Sequence, residues 1–131
     1  MIEGRNKIFV LDDDTGFLEE TKHLLEEAGY QVCVCPKVTE SLSPLLRYKP
    51  DCLLLDLRMP LYDGHAFVPW LRRQNPILPV IVCTGVEQIN RRHLSKYGVH
   101  HIIQKPFSYE LLFKTIDQAI LEEPVDPSIA A

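Results

Sequence analysis

The sequence predicts an α/β fold, a doubly wound five-stranded parallel sheet with helices on both faces, and three observations predict it. Short apolar runs recur five times, at residues 8–11, 32–35, 52–55, 80–83 and 102–103. Segments with a helical repeat of apolar residues lie between them. The first, third and fourth runs are apolar on both faces, as strands in the middle of a covered parallel sheet must be. Right-handed crossovers between such strands put the ligand site beyond their C-terminal ends, where the strand order reverses.

The elements follow in order. After the first strand come Asp12, Asp13 and Asp14, and then Phe17, Leu18, Thr21, Leu24, Leu25 and Ala28 share one helical face until Gly29 stops it, a helix of about fourteen residues. Helices over about 38–48 and 64–74 are expected to be distorted, because Pro44 and Pro69 each remove an N–H. A fourth helix is expected near 87–97, with Ile89, Leu94 and Tyr97 on its face and Gly98 at its end. The last has Ser108 as N-cap, Glu110 in its first turn, and a buried stripe of Leu111, Leu112, Thr115, Ile116, Ala119 and Ile120, running to about Glu122.

Composition bounds the function. With 131 residues, 46% hydrophobic and 24% charged, the chain is long enough for one core and too short for two. A net charge of −4 gives no basic footprint for nucleic acid or an anionic membrane. Arg72-Arg73 and Arg91-Arg92-His93 are short runs read as solvated helix faces, so no direct nucleic-acid binding is expected. No apolar stretch approaches the roughly 18 residues of a membrane span, nor does the N-terminus carry a signal peptide's apolar core, so a cytoplasmic chain is expected. Cys33, Cys35, Cys52 and Cys83 lie in strand-like runs without metal-ligand spacing and read as buried reduced thiols. Within residues 1–5, Ile-Glu-Gly-Arg spells a protease site common in expression fusions and is set aside as a scar. Residues 123–131, with two prolines and no periodic face, read as a tail or linker.

Polar residues converge on one sheet edge. Asp12 and Asp13 follow the first strand, Asp56 the third, Thr84 and Gly85 the fourth, and Lys105 and Pro106 the fifth. Three carboxylates brought together repel unless a cation neutralises them. Few carboxylates and several waters suit Mg²⁺, a hard ion that accepts a phosphate oxygen as a further ligand. A carboxylate beside such an ion can attack phosphorus and give an aspartyl phosphate, and Asp56 is the expected nucleophile. Lys105 would pair with the phosphoryl oxygens or with Asp56, the Thr84 hydroxyl would donate to the same oxygens, and Gly85 leaves room for them. Asp14 is expected to point away or to cap the first helix.

Together "FVLDDD", "LLLDLRMPLYDG", "IVCTG" and "IIQKPF" resemble, in order and spacing, the receiver domain of two-component response regulators, over residues 6–122. The resemblance implies a flavodoxin-like sheet ordered 2-1-3-4-5 and Asp56 as phosphoacceptor from a histidine kinase or histidine phosphotransfer protein. It implies Mg²⁺ held by Asp13, Asp56 and the Arg58 backbone carbonyl, with Asp12 helping through water. A cis Lys105–Pro106 bond is implied too, and so is signalling through the face of the fourth helix, fifth strand and fifth helix, often as a homodimer. Such a domain is a phosphoacceptor switch, with self-catalysed phosphotransfer and slow autodephosphorylation only. Two positions depart from the pattern. Ile102 stands where the family has Tyr or Phe, which puts the usual aromatic readout in doubt, and His100-His101 enters the fifth strand.

Two other classes are weighed against this one. "DDDTG" also resembles the first-strand motif of haloacid-dehalogenase-like phosphohydrolases, in which Asp12 would be the nucleophile and Asp14 the acid/base. That pattern wants Thr or Val where Gly16 stands and leaves Asp56 idle. A phosphorylation-independent module on the same fold would have lost its acids or lysine, and here all are present.

Overall fold

The computed structural model describes residues 1–60 and 62–122, so the segment read as a tail or linker lies outside the described residues. Five strands and five helices alternate: β1 (Lys7–Leu11), α1 (Thr15–Glu27), β2 (Gln31–Cys35), α2 (Leu42–Tyr48), β3 (Cys52–Leu55), α3 (Gly64–Gln74), β4 (Val80–Thr84), α4 (Arg91–Lys96), β5 (His101–Gln104) and α5 (Tyr109–Leu121). All pairings in the sheet are parallel and the order is β2-β1-β3-β4-β5. An unanticipated antiparallel ladder of two-residue strands, Arg58–Met59 with Tyr62–Asp63, sits between β3 and α3. Among the described residues no helix is long and apolar enough to cross a membrane.

The two-residue alternation of each strand sorts the core into two layers. Phe9, Leu11, Leu53, Leu55 and Val82 face one side, where Leu45 of α2, Phe67, Val68 and Leu71 of α3 and Leu94 of α4 cover them. Ile8, Val10, Leu54, Ile81 and Cys83 face the other, under Leu18 and Leu25 of α1 and Leu112, Ile116 and Ile120 of α5. β1, β3 and β4 are buried on both faces and β2 and β5 are only partly covered, which matches their places at centre and edge. A side chain such as Leu54, buried whole, contributes about 2–3 kcal/mol by leaving water.

Local signals place most helix ends. Asp14 caps α1 by accepting from the Phe17 N–H at 3.1 Å, and Ser108 caps α5 through the Leu111 N–H. Gly29 (φ 101) and Gly98 (φ 73) end α1 and α4 in a left-handed conformation that a Cβ disfavours. Pro44 falls in the first turn of α2, where its missing N–H has no partner to lose; the segment breaks into a 3₁₀ turn, Val38–Glu40, and a seven-residue helix restarting from Ser41. By contrast α3 runs without interruption through Pro69. The carbonyl four residues back, on His65, accepts from His93 Nε2 at 2.7 Å.

Several sequence expectations are corrected. The fourth helix begins at Arg91 rather than near 87, because Asn90 caps it through the His93 N–H, and Ile89 lies before it. Arg72 is not on a solvated face: it is 7% exposed, donating from Nε to the Tyr97 carbonyl at 2.6 Å and from Nη1 to the Leu78 and Asn75 carbonyls. Burial pushes its guanidinium down to about 10, so it stays charged at neutral pH. His93 is half-buried and bonded, while Arg91 and Arg92 are exposed. Leu111 faces outward at 48% exposure, and Ala28 is exposed as well. Cys33, on the edge strand, is only half-buried, whereas the other three thiols are buried and all four are free. Residues 1–5 rest against the domain, with the Met1 amino group 3.0 Å from Asp117.

Candidate functional site

Strand register builds the site. Leu11 pairs with Leu55, so the residues just past them, Asp12 and Asp56, emerge side by side where β2 and β3 depart to opposite sides of β1. The backbone carries this one step further: Asp56 N–H donates to the Leu11 carbonyl at 3.1 Å and Asp12 N–H to the Cys35 carbonyl at 3.2 Å. Thr84 ends β4 opposite Gln104, and the Lys105 N–H donates to the Thr84 carbonyl at 2.9 Å. The Lys105–Pro106 peptide is cis.

The carboxyl oxygens of Asp12, Asp13 and Asp56 lie within 4.8 Å of one another. Asp12 is almost fully buried, Asp56 nearly so, and Asp13 is exposed. Asp56 Oδ1 accepts from Thr84 Oγ1 at 2.8 Å and from the Arg58 N–H at 3.3 Å. Its Oδ2 faces Lys105 Nζ at 3.8 Å, beyond hydrogen-bond range. Lys105 donates instead to Asp12 Oδ2 at 2.5 Å, and the Asp14 N–H donates to Asp12 Oδ1 at 2.9 Å. Thr84 Oγ1 in turn accepts from the Val86 N–H at 3.2 Å, which ties the hydroxyl to the loop leading to α4.

Burial pushes the Asp12 carboxyl up from its ordinary range; Lys105 and the Asp14 amide pull it back, and the Asp56 charge adds to the rise. Three carboxylates against one ammonium leave an excess of negative charge in a partly dry place. The donor set is hard oxygen, and Asp13 has no hydrogen-bond partner among the described residues, so the residues fit a small divalent cation. For Arg58, the N–H contact to Asp56 sets its backbone beside that carboxylate. A Cβ built on Gly85 would meet nothing within 4 Å, leaving open space beside Thr84.

Every residue singled out from the sequence for this edge is therefore brought to it; Lys105 pairs with Asp56 across 3.8 Å and, in addition, gives its hydrogen bond to Asp12. Ile102 is half-buried and packs with the α4-side core. His100 is exposed, and His101 Nε2 lies 3.2 Å from Glu122 Oε2, away from the acids.

Two contributors were not anticipated. Gly64 opens α3 against Leu57, next to Asp56, where a Cβ would lie 2.6 Å from the Leu57 Cα. The Asp-Gly pair ahead of a helical pattern was its only signal. The Phe17 ring lies under Lys105, its centroid 4.0 Å from Nζ. No sequence signal marks that contact, because the two residues come from opposite ends of the chain.

Comparison with known proteins gives a consistent result. The family model described as the response regulator receiver domain matches residues 8–117. The transcriptional regulatory protein YxdJ of Bacillus subtilis is 30% identical over 115 residues, covering 88% of this chain and 50% of that protein, so the chain spans half the length of that relative. Among solved structures, a CheY-like receiver domain protein from Methanospirillum hungatei superposes with a TM-score of 0.84 at 26% identity, covering 91% of this chain and 96% of that one. The beryllofluoride-activated NtrC4 receiver domain dimer gives 0.81 at 28% identity, covering 88% and 97%.

Proposed function

Because the chain belongs to the response regulator receiver domain family, a family of phosphoacceptor signalling domains in two-component systems, we propose that Asp56 is the residue that receives the phosphoryl group. The observation that carries this is the asymmetry of its carboxylate. Oδ1 is held by Thr84 and the Arg58 N–H, and Oδ2 is the oxygen left without a hydrogen bond, facing Lys105 across 3.8 Å. Oδ2 attacks phosphorus in line, the phosphorus–nitrogen bond of a phosphohistidine breaks, and the acyl phosphate forms on Asp56. The donor is a histidine kinase or a histidine phosphotransfer protein.

Asp12, Asp13, Asp56 and the Arg58 carbonyl would hold Mg²⁺, which supplies neutralising charge and a template for the phosphoryl oxygens. The chain's own groups do the rest. Lys105 is close enough to shift from Asp12 to a phosphoryl oxygen, and the Thr84 hydroxyl can turn its proton from Asp56 Oδ1 to the same group. That turn would draw on the Val86 N–H and so on the loop before α4. The reaction is stoichiometric, a switch rather than a turnover enzyme, with slow hydrolysis as its only return.

The phosphorylated domain would change its contacts with a partner or a second copy through the face of α4, β5 and α5. Residues 6–122 would form this receiver in a cytoplasmic protein, with 1–5 as a scar and 123–131 as a tail or linker. Labelling with acetyl phosphate tests the assignment. Modification should need Mg²⁺, stop with chelator, and vanish in Asp56→Asn. Label that survives in Asp56→Asn and vanishes in Asp12→Asn would move the nucleophile to Asp12 and the reading to a phosphohydrolase.

A further inference from the structure

We propose that Phe17 is a positioning residue for Lys105, holding the ammonium between Asp12 and Asp56 through the face of its ring. Lys105 Nζ stands 4.0 Å from the Phe17 centroid, well inside the roughly 6 Å within which a cation is drawn to an aromatic face. The contact is partly shielded, with the lysine side chain 22% exposed, and such contacts strengthen as water is removed. Carboxylates and ring divide the ammonium's surroundings: Asp12 Oδ2 accepts its hydrogen bond, Asp56 Oδ2 faces it, and the ring receives its remaining positive surface.

The ring is itself held. Phe107, two residues past Lys105, meets it edge-on at 6.1 Å and 78°. Phe107 packs at 5.6 Å on Tyr109, whose hydroxyl lies 3.0 Å from Thr21 Oγ1 on α1. A closed circuit therefore runs from Phe17 through Phe107, Tyr109 and Thr21 back to α1, four residues beyond where it began. Phe17 is only half-buried and borders an open cleft with Glu20, Lys105, Pro106, Phe107 and Tyr109. Core filling alone does not require an aromatic residue there.

The consequence concerns rate. A lysine restrained beside Asp56 Oδ2 needs little reorganisation when charge builds on the phosphoryl oxygens; one released into solvent must be recaptured. The inference rests on the reading of Asp56 as phosphoacceptor, and the experiment separates the two. In the unphosphorylated, metal-free full chain, NMR should show the Lys105 ε-methylene protons shifted upfield by the ring current, a shift lost in Phe17→Leu and kept in Phe17→Tyr and Phe17→Trp. Phosphorylation by acetyl phosphate should slow in Phe17→Leu by about two- to thirty-fold, the range such a contact is worth. It should return with Tyr or Trp, while Mg²⁺ affinity stays as in the parent. A parent without the upfield shift, a Leu variant at the parent's rate, or Tyr and Trp variants as slow as Leu would each overturn the proposal. Should Phe17→Leu fail to fold, the parent's ring-current shift and the Tyr and Trp rates still decide. Label absent from Asp56 in the parent would sink the phosphoacceptor reading and leave the ring-current result standing.

Discussion

His93 donates from Nε2 to the His65 carbonyl oxygen at 2.7 Å, and that carbonyl is the one that Pro69, lacking an N–H, cannot satisfy. The other ring completes the pair: His65 Nε2 accepts from the Asn90 N–H at 3.1 Å, so its proton sits on Nδ1, 3.2 Å from Asp63 Oδ1. The two imidazole rings thus join the start of α3 to the start of α4, at the end of the loop that leaves Thr84.

The pair predicts non-additive mutations. His93→Ala should lower stability by about 1–2 kcal/mol, since a partly buried carbonyl that Pro69 cannot serve loses the His93 hydrogen bond. In a Pro69→Ala background, which supplies a helical N–H to the same carbonyl, that loss should shrink. Urea unfolding of the two single variants and the double variant measures the coupling. Strictly additive losses would show that the His93 bond does not compensate for Pro69.

The Asp12 carboxyl predicts a pH dependence. Its folded pKa is raised above the ordinary 3.8, first through burial, so the folded state holds that proton more tightly than the unfolded one. The charged form is therefore a penalty on folding, absent below the unfolded value and complete once pH has risen past the folded one. Asp12→Asn should be more stable than the parent at pH 7 in chelator, by about 0.5–2 kcal/mol. The advantage should fade as pH falls toward about 4, and Mg²⁺ should stabilise the parent much more than the variant. An Asn variant less stable than the parent at pH 7 would mean that the lost Lys105 bond outweighs the relieved burial.

Ile102 predicts how the switch is read. An isoleucine there has no ring to rotate and no hydroxyl to bond, so the response should rest on Thr84 and on movement of residues 85–95. Phosphorylation adds charge near −2, and a population shift needs contacts that differ between the two states. Ile102→Tyr should therefore change dimerisation or partner binding by several-fold while changing the Asp56 phosphorylation rate little. Sedimentation with and without acetyl phosphate, beside the labelling rate, gives both quantities. A strongly altered rate with unchanged association would reverse the assignment.

The sequence by itself determined the class of fold, the order of elements and the membership of the acidic edge. Those features are written in short-range pattern. Doubly apolar runs mark β1, β3 and β4, Asp14 and Ser108 cap helices three residues ahead, Gly29 and Gly98 stop them, and each polar site residue follows its strand directly. Tertiary structure decided what depends on residues far apart in the chain. Lys105 chooses Asp12, 93 residues away, because strand register sets the distances. Phe17 reaches Lys105 because α1 and the end of β5 meet over the same sheet edge. Arg72 turns inward because the Tyr97, Asn75 and Leu78 carbonyls converge where one guanidinium can reach all three. The start of α4 is set by the cap at Asn90, whose backbone N–H His65 holds from another helix. Helix caps and strand runs carry their partners with them in sequence, whereas a charge or a ring acquires its partner only when the sheet brings distant segments within a few ångströms.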